Sequence, residues 1–329
     1  MSIESQRSRP SVSRWLSPRL DSEYRSIALR LLILLVFGAG ASWINPNFAT
    51  LYNGLSILRQ ASLLFFLASG ATLVLIAGGI DLSVGATLSL SAALCAAVLH
   101  TTGSTTLGVL SALGAGLAVG LINGILVSLL RLQPFLATYG TLWIVSGIAL
   151  WFMGGVPITG FSPEFRFVGS GFWWGIPAPV WLMGGVIAVG SFVLARTTYG
   201  QHLTMMGSNQ EAATLSGVPV SRNLLMAYAL SGLGAGIAAI VLLGRANSAD
   251  PGMGDSYLLP SITAILVGGA SLFGGVGTLI GTALGAILLT LLLNMMNMML
   301  ISSVWQPFVT GGVLILVALA SALWRLRPA

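Results

Sequence analysis

Residues 56–100 read SILRQASLLFFLASGATLVLIAGGIDLSVGATLSLSAALCAAVLH, and this stretch decides the fold. It is mostly apolar, and its one clear interruption is the group GGIDLS at 78–83. The apolar parts on either side, 56–77 and 83–100, each approach the roughly 20 residues that an α-helix needs to cross about 30 Å of hydrocarbon. The stretch therefore predicts two membrane-spanning helices that are joined, or broken, at a pair of glycines.

The composition of the whole chain agrees with this prediction. Of the 329 residues, 56% are apolar and only 7% are charged, and the mean hydropathy is +0.94. Soluble domains carry roughly 25% charged residues. A soluble domain of this size could not cover its surface with so few charges, so most of the outer surface must face lipid.

The apolar segments predict an all-α polytopic membrane protein with about ten transmembrane helices. The domain boundaries follow: a cytoplasmic Arg/Ser-rich tail at 1–26, a transmembrane domain at 27–324 and a cytoplasmic tail at 325–329. The second and third spans, and the eighth and ninth, are separated only by glycine-rich breaks and could be halves of broken helices. The predicted spans are 27–44, 56–77, 83–100, 107–130, 135–153, 177–195, 223–244, 258–272, 276–300 and 304–324.

The arginines predict the orientation of these spans, because cytoplasmic loops are enriched in basic residues. With the N-terminus inside, eleven arginines are cytoplasmic and only Arg59, Arg166 and Arg245 lie outside. Both termini are therefore predicted to be cytoplasmic. The tail at 1–26 sets this topology; it has too few aromatic residues for a nucleic-acid arm, and its charged part is long for a signal peptide.

Two predicted outer loops differ in character. Residues 154–176 include Phe165, Phe167, Phe172, Trp173 and Trp174, and such aromatic side chains are typical of the membrane–water interface. Residues 245–257, RANSADPGMGDSY, are polar and rich in turn formers.

Many of the 42 glycines are ordered rather than scattered. Glycines recur every four residues in the fourth span and in the ninth, which predicts closely approaching helices in lipid. In addition, GGIDLSVG at 78–85 parallels GGASLFGG at 268–275 with an offset of 190, as in transporters built from repeats with interrupted helices. The two glycine series are Gly116, Gly120 and Gly124, and Gly277, Gly281 and Gly285.

The inventory of reactive side chains excludes several functions. All 14 basic residues are arginines, whereas a P-loop needs a lysine on the phosphates and a Schiff-base enzyme needs one as nucleophile. If ATP drives this protein, another chain must bind it. The single Cys95 excludes an intrachain disulfide and a cysteine-rich zinc cluster, and His100 and His202 stand far apart.

The longest predicted cytoplasmic loop, 196–222, contains a signal for a short helix. Ser208 and Glu211 have the spacing of a capping box, in which each side chain bonds the other residue's backbone N–H. Gly217 and Pro219 would end the helix after about two turns.

This short helix has a small apolar face formed by Ala212, Ala213 and Leu215. The pattern fits a helix that docks in a groove of a partner. It fits an ordinary connecting helix on the membrane surface equally well.

Several segments together resemble the permeases of ribose-type ATP-binding cassette (ABC) importers. GSNQEAATLSGVPVSR at 207–222 is similar to the cytoplasmic loop of that family, and AGGIDLSVGATLSLSAA at 77–93 is similar to its most recognisable segment. LQPFLATYGTL at 132–142 and the stretch 248–286 also follow its pattern. The resemblance runs from about residue 55 to 320, in order and with similar spacing.

The resemblance implies a type II importer bundle in the bacterial inner membrane. Its partners would be two ABC ATPase subunits that hold ATP and Mg, a periplasmic sugar-binding protein, and a second permease chain, identical or different. This chain would bind no cofactor, and the cargo would be a pentose, a hexose or a related polyol. Tyr139, Trp143 and the methionine-rich run 294–299 depart from the pattern and leave the sugar open. The helix that contacts the ATPase would comprise Gly207, Ser208, Asn209, Glu211, Ala212, Ala213, Leu215, Ser216 and Gly217.

Asp81 is an acidic residue well inside the hydrophobic part of the sequence. Such a carboxylate is a functional hypothesis by default: it could bond a sugar hydroxyl, carry a proton or mark a gate. It also suits the N-cap of the third span, where a carboxylate is favoured by the helix dipole. Ser83 has the same two interpretations.

Other polar and aromatic residues in the spans are weaker pathway candidates. Asn and Gln side chains could bond across helices or line a route for a substrate rich in hydroxyl groups. Aromatic rings could stack on a sugar, although they usually pack against other side chains. These candidates are Asn123, Asn294, Asn297, Gln306, Phe65, Phe66 and Trp305.

Two other classes of function compete with the importer as explanations of this sequence. A secondary carrier or channel would use Asp81 as its proton or ion site, but one carboxylate with no buried basic partner is a poor proton relay. A membrane enzyme would need an acid–base or metal constellation, which these residues cannot assemble.

Overall fold

The computed structural model describes residues 13–325. Within this range the chain is almost entirely α-helical, which confirms the predicted class of an all-α polytopic membrane protein. Residues 1–12 and 326–329, parts of the predicted cytoplasmic tails, lie outside the described residues. The helices are α1 Ser13–Ile44, α2 Leu51–Ile76, α3 Val84–Thr102, α4 Thr105–Ser128, α5 Pro134–Met153, α6 Pro163–Ser170, α7 Ala178–Arg196, α8 Thr198–Ser208, α9 Gln210–Leu215, α10 Val220–Ala246, α11 Asp255–Val267, α12 Leu279–Met298 and α13 Trp305–Arg325.

Eight helices among the described residues are long and apolar enough to cross a membrane: α1 over Ile27–Ile44, and α2, α3, α4, α5, α7, α10 and α12 over their whole length. Their bounds fall within a few residues of the predicted spans. The predicted eighth and tenth spans correspond to α11 and to α13, whose apolar parts are shorter than 18 residues. The count of ten crossings therefore remains a prediction.

The centre of the bundle consists of α2, α3 and α10, whose apolar windows are mostly buried. These helices are apolar on all sides, which is the pattern expected of helices surrounded by protein. By contrast, few residues in the apolar windows of α1 and α7 are buried, so these helices form part of the periphery.

Close glycine contacts hold α4 against α10, as the glycine series in the fourth span predicts. A Cβ on Gly120 would collide with the backbone of Tyr228, and a Cβ on Gly116 would collide with that of Gly232. In α12, Gly281 and Gly285 make the same kind of contact with α11. Gly277 belongs to the break before α12, so the second series is shorter than predicted.

The two glycine-rich breaks have the same backbone geometry. α2 and α11 both end in a left-handed glycine, Gly78 and Gly269, each with φ of +84°. In both, the next residue donates its N–H to a carbonyl five residues back, Gly79 to Val74 at 2.9 Å and Ala270 to Ile265 at 3.1 Å. This is the Schellman ending of a helix. The equivalent residues are thus offset by 191, one more than the sequence match suggests.

The two predicted outer loops contact each other. Strand β1, Ile158–Thr159, pairs antiparallel with β4, Ser248–Ala249, and the Phe161 N–H donates to Asn247 Oδ1 at 2.9 Å. A second short pair joins β2, Phe172–Trp173, to β3, Ile176–Pro177. Both loops therefore lie at the same end of the bundle.

The first of these loops contains a short helix, α6, that the sequence pattern did not predict. Ser162 caps α6 by accepting from the Phe165 N–H at 3.3 Å, and Pro163 suits the first helical position. Phe165 is fully buried, so its predicted place at the lipid interface is wrong: α6 packs it against the protein. Trp173 and Trp174 remain exposed, as expected of interfacial residues.

Candidate functional site

The segment 197–219 forms two consecutive helices rather than the one predicted. Thr197 caps α8 by accepting from the Gly200 N–H at 3.4 Å, and Asn209 ends α8 and begins α9. Asn209 Oδ1 accepts from the Ala212 N–H at 2.9 Å. The predicted stop at Gly217 agrees with the structure, because this residue has φ of +80° and donates to the Thr214 carbonyl at 3.0 Å.

The predicted capping box of Ser208 and Glu211 is wrong. Ser208 is the last residue of α8, and its hydroxyl donates back to the Thr204 carbonyl at 2.9 Å. An N-cap residue needs an extended backbone, which Asn209 has at φ −159° and ψ 103°. The resulting α9 has six residues, somewhat fewer than two turns.

α9 turns one side chain inward and most others outward. Ala213 is 1% exposed and packs with Val218 and Ala227, whereas Leu215 is 85% exposed. Ala213 therefore anchors α9 to the bundle, although it also borders the groove beside the helix. Its part in an ATPase contact stays a prediction. Glu211, Ala212, Leu215 and Ser216 remain accessible to a partner.

A groove of about 650 Å³ lies beside the accessible face of α9. Ala212 and Ser216 of α9, Met205 of α8 and Leu194 of α7 line it. The groove and the accessible residues of α9 together form a concave surface on which a partner can dock.

The α8–α9 segment touches both glycine-rich breaks through Gly207. A Cβ on Gly207 would collide with the Ile76 carbonyl oxygen and with the Gly275 backbone nitrogen. Those two atoms are themselves joined, since the Gly275 N–H donates to the Ile76 carbonyl at 2.9 Å. A displacement of α8 and α9 must therefore act on the end of α2 and on the break between α11 and α12.

α8 is also fixed to α10. His202 Nδ1 lies 3.2 Å from Asn223 Nδ2, and Leu203 and Met206 are buried. Their spacing of three residues is the helical signal that the sequence analysis overlooked.

Asp81 lies in the interior of the protein and is 4% exposed. Its Oδ1 accepts from the Ser83 N–H at 3.0 Å and from the Ser83 hydroxyl at 2.7 Å. Its Oδ2 accepts from the Ser231 hydroxyl of α10 at 2.7 Å, and Asn123 Nδ2 of α4 donates to the Ser83 hydroxyl at 2.7 Å. One carboxylate thus ties the break at 77–83 to α10 and, through Ser83, to α4.

The N-cap interpretation of Asp81 is wrong in detail. The N-cap of α3 is Ser83, and Asp81 bonds the N–H of that cap residue rather than a free N–H of the first helical turn. This is an Asx turn, in which an aspartate bonds the backbone two residues on. The neighbouring Ile80 carbonyl accepts from the Tyr228 hydroxyl of α10 at 3.2 Å, so a neighbouring helix supplies a partner for the backbone of the break.

The other pathway candidates separate into two groups. Phe65 and Phe66 are fully buried and pack edge to face with ring centroids 6.0 Å apart, and Asn294 Nδ2 donates to Asn53 Oδ1 at 2.9 Å. Asn297 and Gln306, by contrast, line a cavity and bond each other, with Gln306 Nε2 donating to Asn297 Oδ1 at 2.8 Å.

That cavity has a volume of about 390 Å³ and lies among α2, α10, α11, α12 and α13. Asp255 and Ser256, which belong to the predicted outer loop 245–257, are exposed and line it. Burial raises the pKa of the Asp255 carboxyl above its usual value, and the nearby charge of Asp250 raises it further.

Comparison with known proteins places this geometry in context. The family described as branched-chain amino acid transport system / permease component matches residues 53–318. The chain is 37% identical to the ribose import permease protein of Escherichia coli K12, over 88% of this chain and 91% of that protein.

Two further relatives have comparable coverage. The galactose/methyl galactoside import permease protein of Salmonella typhimurium is 33% identical over 86% of this chain and 90% of its own length. The L-arabinose transport system permease protein of Escherichia coli K12 is 33% identical over 87% of both chains. No solved structure matches the chain significantly.

Proposed function

We propose that this chain, which belongs to the family of transport-system permease components that includes these import permeases, is the membrane-spanning subunit of an ABC importer for a sugar. The proposal extends what the names of the relatives say to this chain. The chain itself is a multi-pass membrane protein of a permease family.

The observation that carries the proposal is the geometry of α9. Its Ala213 is buried against the permease and its Leu215 is 85% exposed. Gly207 of the preceding α8 contacts the end of α2 and the break between α11 and α12. A helix that is anchored on one face and free on the other can pass a partner's movement to the bundle. This supports α9 as the contact with an ATPase subunit, with Glu211, Ala212, Leu215 and Ser216 on the contact surface.

The remaining parts of the importer are assigned to other chains. ATP and Mg would be held by two ATPase subunits, because this chain has no lysine for a P-loop. A periplasmic binding protein would deliver the sugar at the end that carries residues 154–176 and 245–257. The arginine distribution supports a cytoplasmic position for the α8–α9 end, in the inner membrane of a bacterium.

A sugar is favoured over a branched-chain amino acid as the cargo. The family description names amino acids, but the three relatives reported above carry sugar names at high coverage. A polyhydroxylated cargo also suits the cavity among α2 and α10–α13, where Gln60, Asn297 and Gln306 supply amide groups.

The mechanism would be alternating access. Closure of the ATPase subunits on ATP would move α9, and Gly207 would transmit that movement to the breaks at 77–83 and 268–278. The hydrogen bonds of Asp81 to Ser83 and Ser231 would keep the first of these breaks attached to α10 during the movement. This assigns Asp81 a positioning role rather than that of an ion site.

Reconstitution tests the proposal against a secondary carrier. Proteoliposomes are prepared with this chain, its ATPase subunits and the binding protein. They should accumulate a labelled sugar only when ATP is supplied on the side of the membrane that carries the ATPase subunits. Removal of the ATPase subunits should abolish uptake. Uptake by the chain alone, driven by a proton or sodium gradient, would contradict the importer and restore Asp81 as an ion site.

A further inference from the structure

The cavity among α2 and α10–α13 contains polar groups that lack partners. Thr290 is 5% exposed and Thr310 is 2% exposed, and both line the cavity. Neither hydroxyl has a hydrogen bond within the part of the chain that the structure describes, although buried helical threonines elsewhere, such as Thr263, donate to a carbonyl four residues back. Neither oxygen is sealed within the protein, so both hydroxyls are open to the cavity and available to a ligand or to water.

The Ser256 carbonyl is a further hydrogen-bond acceptor in the lining of this cavity. Pro260 lies inside α11 and has no N–H, so the Ser256 carbonyl loses the hydrogen bond that a helix would give it. Both residues line the cavity. The break in the helical ladder therefore faces a space that a ligand can enter.

The rim carries donors and acceptors in fixed positions. The bond from Gln306 Nε2 to Asn297 Oδ1 leaves the Gln306 oxygen and the Asn297 nitrogen free for a ligand. Arg245 and Asp255 contribute one positive and one negative charge, and neither is in an ion pair within the described residues. The two charges balance, so the cavity suits a ligand that is neutral and rich in hydroxyl groups.

We propose that this cavity binds one monosaccharide, so that the permease chain has a sugar site of its own. Its volume of about 390 Å³ lies within the range of small-molecule pockets. Thr290 and Thr310 would bond hydroxyls of the sugar at the floor, the amides of Asn297 and Gln306 would bond those near the mouth, and the Tyr257 ring would cover one face. This inference rests on the proposed function and adds a second selection of the cargo after the binding protein.

Direct binding without the binding protein tests the site. The permease–ATPase complex in nanodiscs is dialysed to equilibrium against labelled D-ribose, D-galactose or L-arabinose, with labelled leucine as the contrasting cargo. One of the three sugars is expected to bind saturably at one site per permease chain. Tighter binding of leucine, or no saturable binding of any sugar, would overturn the proposal.

Matched substitutions locate the binding. Thr290→Val combined with Thr310→Val removes only the two floor hydroxyls and should weaken sugar binding by about tenfold or more, as expected for the loss of one or two hydrogen bonds. Thr310→Ser, which keeps the hydroxyl, should retain most of the affinity. Thr263→Val, a buried threonine of α11 outside the cavity, should stay within about twofold of the original protein, because its hydroxyl bonds only its own helix. Equal affinity of the double valine variant and the original protein would place the sugar elsewhere and contradict the site.

Uptake by the complete transporter separates the two proposals. ATP-driven uptake of a sugar that does not bind in the cavity would overturn the cavity site alone. Absence of ATP-driven uptake for every sugar tested would overturn the proposed function, and the cavity site with it.

Discussion

Gly207 at the end of α8 lies against Gly274 in the break between α11 and α12, so closely that a Cβ on Gly274 would come within 2.8 Å of the Gly207 carbonyl oxygen. Gly78 of the other break also contacts Gly207, since a Cβ added to Gly78 would lie 3.5 Å from the Gly207 Cα. A single glycine thus joins the α8–α9 segment to both breaks of the bundle. The closeness of this junction makes it a rigid link.

Gly207→Ala should therefore destabilise the protein. The added methyl would meet the Ile76 carbonyl and the Gly275 nitrogen, which are backbone atoms that cannot rotate away, and overpacking of this kind costs about 1–3 kcal/mol. Thermal unfolding of the purified permease measures the loss. Gly184→Ala is the matched control, because nothing lies within 4 Å of its Cβ position in α7; equal melting temperatures for the two variants would argue against a tight junction.

Ala213 gives a second stability prediction. Because its side chain is 1% exposed, Ala213→Leu should lower the free energy of unfolding by about 1–3 kcal/mol through overpacking. Ala212→Leu, on the exposed side of the same helix, should leave the folded yield unchanged. The yield of monodisperse protein after solubilisation compares them. A fully stable Ala213→Leu protein would mean that α9 does not rest on the bundle through this residue.

Asp81 can be probed by an isosteric change. Asp81→Asn keeps an oxygen for the two Ser83 donors, and its amide can donate to the Ser231 hydroxyl, so the variant should fold and keep most of the transport rate. Asp81→Leu removes all three bonds of the carboxylate and should lower folded yield, since it leaves buried polar groups without partners at about 1–3 kcal/mol each. Transport by proteoliposomes at equal protein is the readout. A well-folded Asp81→Asn protein without transport would show that the charge itself is required.

The orientation follows from cysteine reporters. Ser208→Cys on α8 should react with a membrane-impermeant maleimide only from the cytoplasmic side, and Glu164→Cys on α6 only from outside. Both positions are exposed, and the native Cys95 is buried, so the background should be low. Labelling of Ser208→Cys in intact cells would reverse the orientation and remove α9 from the reach of a cytoplasmic ATPase.

Much of the fold can be predicted from the sequence because a membrane span is a long signal. The fifth span, predicted at 135–153, forms α5 at Pro134–Met153, since some twenty apolar residues average out local ambiguity. α8 is different: polar residues and glycines surround Leu203 and Met206, so its buried side does not stand out. Likewise, Pro163 and Glu164 are typical of a helix start, but this signal covers only two residues in a loop whose aromatic residues suggest a membrane interface.

The candidate site was less accessible to sequence reasoning. Gly217 correctly predicts where α9 ends, but the cap at its start is Asn209 and not Ser208. An alanine such as Ala213 fits a buried face as well as an exposed one. The partner of Asp81 is Ser231, which lies 150 residues further along the chain, and no local pattern joins them. Thr290 and Thr310 become a pair only when α12 and α13 pack around the same cavity.

The affinity of purified ATPase subunits for the permease in nanodiscs tests whether an ATPase subunit docks on α9. Leu215→Arg places a charge at the exposed centre of the proposed contact and should weaken binding by about thirtyfold or more, as expected when a central contact residue is lost. Leu300→Arg is the matched control, because Leu300 is 91% exposed in the loop between α12 and α13, at the opposite end in the proposed orientation, and this variant should bind like the original protein. Unchanged affinity of the Leu215→Arg permease would contradict the account.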